Sequence, residues 1–133
     1  MLLKKVFMEF NVRILILLIS FSFIASCSCM KNNKSDAEEQ RKIYKSWVLS
    51  RCIASISSNE DEKQDVLNSA SAYLEISHLP VDSFTNAKPL IDEFLAKNYQ
   101  GSIAGTFNTK KCVDLLYSDE LEKIFLMEYK NTK

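Results

Sequence analysis

Apolar residues recur at intervals of three and four along most of this chain, and no strand-like alternation is sustained anywhere. That spacing lines one face of a helix. It predicts a first helix over 37–57, with Ile43, Trp47, Val48, Cys52, Ile53 and Ile56 on its inner face. Asn59 follows as an N-cap, with Glu62 three residues on and Glu60, Asp61 and Glu62 at the positive end of the helix dipole. A second helix therefore starts near Glu60, turns Val66, Ala70, Tyr73, Leu74 and Ser77 inward, and cannot continue through Pro80. Residues 80–85 read as a connector of one helical turn. Asn86 is a candidate cap for a third helix, with Pro89 tolerated in its first turn and Ala87, Leu90, Ile91, Phe94 and Leu95 on one face. Asn108 is a candidate cap for a fourth helix carrying Cys112, Leu115, Leu116 and Tyr117. Ser118, with Asp119 and Glu120, starts a last helix carrying Leu121, Ile124 and Phe125.

Between the third and fourth helices, residues 99–107 hold both glycines of the chain and show no period, so they form the one substantial loop. Two glycines and two prolines in 133 residues are too few turn residues for a sheet-rich domain. The predicted fold is all-α, a small bundle of four to five helices.

The amino-terminal stretch has a different pattern. Lys4, Lys5 and Arg13 make a basic opening, and residues 14–24 are apolar apart from Ser20 and Ser22. A run of that length suits the core of a secretion signal and is short for a membrane span. The sequence Ile24-Ala25-Ser26-Cys27 is the pattern read by lipoprotein processing, which would leave Cys27 as the lipidated first residue. A start at Met8 preserves the same features. The competing readings are an uncleaved anchor and ordinary cleavage near Ala25. The organisation expected is a signal peptide of lipoprotein type over 1–26, a flexible tether over 27–36, and a folded domain over 37–133. Cys29 is then either an incidental cysteine of the tether or an intermolecular thiol.

Charge changes the picture little. The chain has 17 basic and 17 acidic side chains. Removing Lys4, Lys5, Arg13 and Glu9 with the leader leaves 14 against 16, a net of −2. No basic stripe or aromatic–basic interleaving points to nucleic acid. No phosphate-binding glycine loop, nucleophile elbow or metal-ligand spacing is present, so no cofactor or metal is expected. The clustered carboxylates fall at helix starts or on solvated faces.

Cys52 and Cys112 each lie on an apolar helix face. In an oxidising compartment two facing cysteines form a disulfide. Two buried thiols that never meet, and a nucleophilic thiol served by the only histidine, His78, are the alternatives. The loop residues Gly101, Ser102, Ile103, Ala104, Gly105 and Thr106 are a candidate plug for a narrow cleft, or a plain connector. Asp92, Glu93 and Lys97, facing outward on the third helix, are a second candidate surface, or a solvated face. Trp47 and Tyr73 sit at helical spacing among apolar neighbours and are assigned to the core, with Tyr73 also suited to a dimer seam.

Three blocks carry a resemblance: YKSWVLSRCIA at 44–54, SASAYLE at 69–75 and FNTKKCVDLLYSDEL at 107–121. Together they resemble the family-four immunity proteins against type VI secretion amidases. Such proteins share W-V-L-x-R-C in one helix, S-A-x-A-Y-L-E in the next, and a final N-T-x-K-C-[IV]-D-L. The resemblance covers about 44–121. It implies a non-enzymatic homodimer in the periplasm that plugs the catalytic groove of a papain-like cysteine amidase. That toxin cuts the peptidoglycan stem between D-glutamate and diaminopimelate. The resemblance also implies that Cys52 and Cys112 are joined. A soluble periplasmic form is the commoner one among such proteins, so lipid on Cys27 and attachment to a membrane would set this chain apart. The alternative function is a periplasmic envelope lipoprotein that binds another protein partner.

Overall fold

The computed structural model describes residues 28–132, with side chains from residue 34 onward; the leader over 1–26 and Cys27 lie outside the described residues. Six helical segments follow one another: α1 Ser28–Ile56, α2 Glu60–Glu75, α3 Val81–Thr85, α4 Lys88–Ala96, α5 Asn108–Leu116 and α6 Asp119–Asn131. No strand occurs among the described residues. The all-α expectation holds: five helices, with α3 as the single helical turn expected in the connector.

The chain is already helical at Ser28, the first described residue, rather than from near Ala37, so the described part of the stretch read as a tether is helical. No proline or glycine interrupts 28–56, and nothing in that sequence stops a helix. The chain nevertheless divides between Asp36 and Ala37, and every core residue lies on the later side.

The buried face of α1 follows its predicted period. Gln40, Ile43, Tyr44, Trp47, Val48 and Cys52 are all buried. The face packs against Phe84, which α3 presents fully buried between two aromatic neighbours. Its ring centroid is 5.2 Å from that of Tyr44 and 5.3 Å from that of Trp47. Phe125 of α6 lies 5.7 Å from Tyr44 on the other side. Tilted and edge-on aromatic pairs at these distances add roughly 0.5–1.5 kcal/mol each beyond area burial.

Polar groups inside this hub are all partnered. The Gln40 side-chain carbonyl accepts hydrogen bonds from Ser77 Oγ and His78 N, both at 2.9 Å, which fixes the α2–α3 junction on α1. Tyr44 Oη donates to the Ser83 carbonyl at 2.9 Å. Burial, and then the charge of Glu128, push its phenol pKa above the ordinary value. No buried side-chain nitrogen or oxygen among the described residues lacks a partner, as satisfied interiors require.

Two caps are as expected and two are not. Asn59 Oδ1 accepts from the N–H groups of Asp61 and Glu62, and Ser118 Oγ accepts from Leu121 N. Asn86 does not cap α4. Ala87 occupies that position without a side-chain cap, and the Asn86 amide instead donates to Glu128 Oε1 at 2.9 Å. Asn108 is the first residue of α5 rather than its cap. The cap position belongs to Phe107, in the left-handed conformation with φ 53°.

Cys52 and Cys112 form a disulfide, with 5.7 Å between their Cα atoms, joining α1 to α5. Both are buried, and with both sulfurs in the bond neither residue is a free thiol.

Candidate functional site

The segment between α4 and α5 is exposed along most of its length. Every residue from Gln100 to Thr106 is exposed. Ile103 is 77% exposed, so the only large apolar side chain within 101–106 faces solvent. Among the described residues, no backbone hydrogen bond involves 98–106.

The base of the loop is tied down by side chains. Tyr99 Oη donates to Asp114 Oδ2 at 2.7 Å, and Lys110 Nζ donates to the same oxygen at 2.6 Å. The Lys110 ammonium also lies 5.0 Å from the Tyr99 ring centroid, a cation–π distance. The hydrogen bonds from Lys110 and Tyr99 hold the Asp114 carboxyl below its ordinary pKa. Partial burial opposes them, and the charges of Lys110 and Lys97 assist. The bond to Asp114 raises the Tyr99 phenol in turn. Lys111, buried one residue further on, donates from Nζ to the Leu95 carbonyl at 2.8 Å. It thereby satisfies a carbonyl in the last turn of α4, where intrahelical partners run out.

The two glycines do different work. A Cβ at Gly101 would come within 2.8 Å of Phe107 Cζ, so the Phe107 ring closes onto this position and would have to shift to admit a side chain. A Cβ at Gly105 would meet nothing within 4 Å.

Of the second candidate surface, Asp92 and Glu93 are exposed on α4. Lys97 Nζ lies 3.1 Å from the Phe94 ring centroid and 3.8 Å from Glu93 Oε1. Its charge reaches Asp114. Lys97 thus belongs to the loop base, and the two predicted surfaces meet there. Sequence reading missed Tyr99, Lys110, Lys111 and Asp114 as a set. The one available signal was Lys110 and Asp114 at i and i+4 on a helix.

A shallow groove of about 250 Å³ lies elsewhere, lined by Arg41, Lys42, Lys45, Ser46, Leu116 and Tyr117. Arg41 and Lys45 both pair with Glu122, at 2.8 and 2.9 Å. Burial raises the Glu122 carboxyl, but these two cations outweigh it and leave its pKa low. No cluster of potential metal ligands exists among the described residues.

The domain thus presents an exposed loop, tied at its base, on a disulfide-linked all-α scaffold. The family model for type VI secretion system amidase immunity proteins, Tai4, matches residues 42–125, and the chain belongs to that family. The chain is similar to one in the crystal structure of the Tae4–Tai4 effector–immunity complex from Enterobacter cloacae. The likeness has 32% identity and a TM-score of 0.60, over 65% of this chain and 88% of that one. A chain of the Tae4/Tai4 effector–immunity system from Salmonella typhimurium gives 32% identity and a TM-score of 0.61, over 65% and 86%. A structure described under new type VI-secreted toxins and self-resistance proteins in Serratia marcescens shares the fold, with 24% identity and a TM-score of 0.61, over 66% and 73%. No curated protein matches the chain.

Proposed function

We propose that this protein neutralises a type VI secreted peptidoglycan amidase in the periplasm by inserting its 101–106 loop into the toxin's catalytic groove. The observation that carries this reading is the loop itself: fully exposed, tipped by Ile103, and braced at its base. Family membership and the likeness to chains from Tae4–Tai4 complexes support the choice of partner. An apolar tip desolvated in a cleft supplies affinity, and a ring of weaker polar contacts excludes water around it. Asp92, Glu93 and Lys97 flank the loop and form that polar rim. The protein acts by occlusion and catalyses nothing.

Export belongs to the same proposal. An inhibitor of a wall-cutting enzyme works only where the wall is, so the leader over 1–26 delivers the domain to its site of action. Processing at Cys27 would attach it to a membrane beside the wall, and the working form is a homodimer. The test uses the mature protein purified from cells that export it, titrated against the cognate amidase on peptidoglycan. Cleavage should stop near one inhibitor per toxin, with a complex on gel filtration. Undiminished cleavage with no complex contradicts the proposal.

A further inference from the structure

The sequence block around Cys112 does more than supply half of a disulfide. Lys110, Lys111 and Asp114 each reach out of α5 toward the segment that precedes the loop. Lys111 holds the last turn of α4 through the Leu95 carbonyl. Asp114 accepts two hydrogen bonds on one oxygen, from Tyr99 at the outgoing end of the loop and from Lys110 at the returning end. Lys110 in turn lies over the Tyr99 ring. Between these anchors, no backbone hydrogen bond involves 98–106 among the described residues, and every residue from 100 to 106 is exposed. The conformation of the loop is therefore set at its two ends.

An exposed lysine–aspartate pair four residues apart on a helix contributes little to global stability. The effect of this pair is local. A loop fixed before it meets its partner loses less conformational freedom on binding than a loose one. We propose that Asp114 is the positioning residue of the 101–106 loop, fixing through Tyr99 and Lys110 the conformation that enters the partner. This rests on the loop reading above and adds the residue on which that reading depends. The disulfide at Cys112 secures α5 to α1, so the brace is built from a fixed helix.

Two measurements on the full exported protein test it. The first is the backbone amide order parameters of the free protein from 15N relaxation, resolved for 98–107 against α4 and α5. The second is inhibition of the cognate amidase. Tyr99→Phe deletes only the donated hydroxyl. It should drop the order parameters of 100–106 below about 0.6, the flexible range, and weaken inhibition by up to about tenfold, the scale of one lost hydrogen bond, at unchanged melting temperature. Asp114→Ala should do the same or more, and Asp114→Asn, which keeps an acceptor for Tyr99, should recover most of the loss. Unchanged loop order parameters in Tyr99→Phe and Asp114→Ala overturn the proposal. So does a loosened loop with full inhibition, when Ile103→Asp abolishes inhibition. If Ile103→Asp itself leaves inhibition intact, the loop reading fails, and the order parameters alone decide whether Asp114 is the brace.

Discussion

The two ends of this small domain are held in opposite ways. Around Tyr44, Trp47, Phe84 and Phe125 the chain is fixed by burial: side chains from α1, α3 and α6 interlock, and each polar atom among them has a partner. Around residues 97–107 nothing comparable is buried. There the chain is fixed by a few directed bonds at the loop base, to Asp114 and Leu95, and by the Phe107 ring closing on Gly101. The first arrangement resists unfolding and presents little to a partner. The second contributes little to stability and leaves six consecutive residues, 101–106, exposed for contact. On the proposed function, stability and recognition are carried by separate residues, and substitutions should separate them.

The largest effect should come from the buried hub. Phe84→Ala removes the ring that both Tyr44 and Trp47 contact, at a site with no exposure. It should lower unfolding free energy by about 3–5 kcal/mol in urea titration, a large part of a small domain's total. A loss below about 1 kcal/mol would mean that the hub is not where stability resides. Removing the disulfide with Cys52→Ala and Cys112→Ala should cost about 4 kcal/mol, since it frees a loop of 60 residues in the unfolded chain. Because that bond links α1 to the helix that braces the loop, its loss should also lower the amide order parameters of 100–106, which Phe84→Ala should not do selectively.

Alkaline pH reaches both regions, through Tyr44 in the hub and Tyr99 at the loop base, and the hub is where it bears on stability. The pKa of Tyr44 is raised in the folded state above its ordinary value of 10.0, by burial first and then by Glu128. A raised folded pKa means that the contribution is fully present below the unfolded value. It is lost as pH climbs from about 10 toward the folded pKa. Stability of the wild type should fall over that window, and Tyr44→Phe should flatten the fall while costing about 1 kcal/mol at neutral pH. The smallest effect separates the two loop glycines. Gly105→Ala meets open space and has no positive φ, so it should stabilise slightly, by about 0.4–1 kcal/mol. Gly101→Ala must displace the Phe107 ring and should destabilise instead. Equal melting temperatures for the two variants would show that Phe107 does not close the loop.

Part of the hub was legible in the sequence: helical period assigns Trp47 and Phe125 to inner faces, but it did not mark Tyr44 or Phe84, which are fully buried. Ile43, Trp47, Val48 and Cys52 fall on one face whatever the partner is. Asn59 and Ser118 were legible as caps because a cap bonds to backbone two or three residues away. Asn86 was not, since its amide goes to Glu128, 42 residues along the chain. That the chain is already helical at Ser28 was missed because polar composition was read as a tether although nothing breaks the helix. The loop was visible through its glycines and lack of period. Its brace was not, because the Tyr99–Asp114 bond spans 15 residues, and neither was the left-handed turn at Phe107 that no residue preference announces.

The central claim is that the exposed loop, and not the buried hub, meets the toxin. Ile103→Asp tests it most directly, by titration of the exported protein against the cognate amidase. Ile103 is largely solvent-exposed in the free protein, so the melting temperature should not change. A charge buried without a partner in the complex should weaken inhibition by about a hundredfold or more. Full inhibition by Ile103→Asp at wild-type stoichiometry would contradict the account.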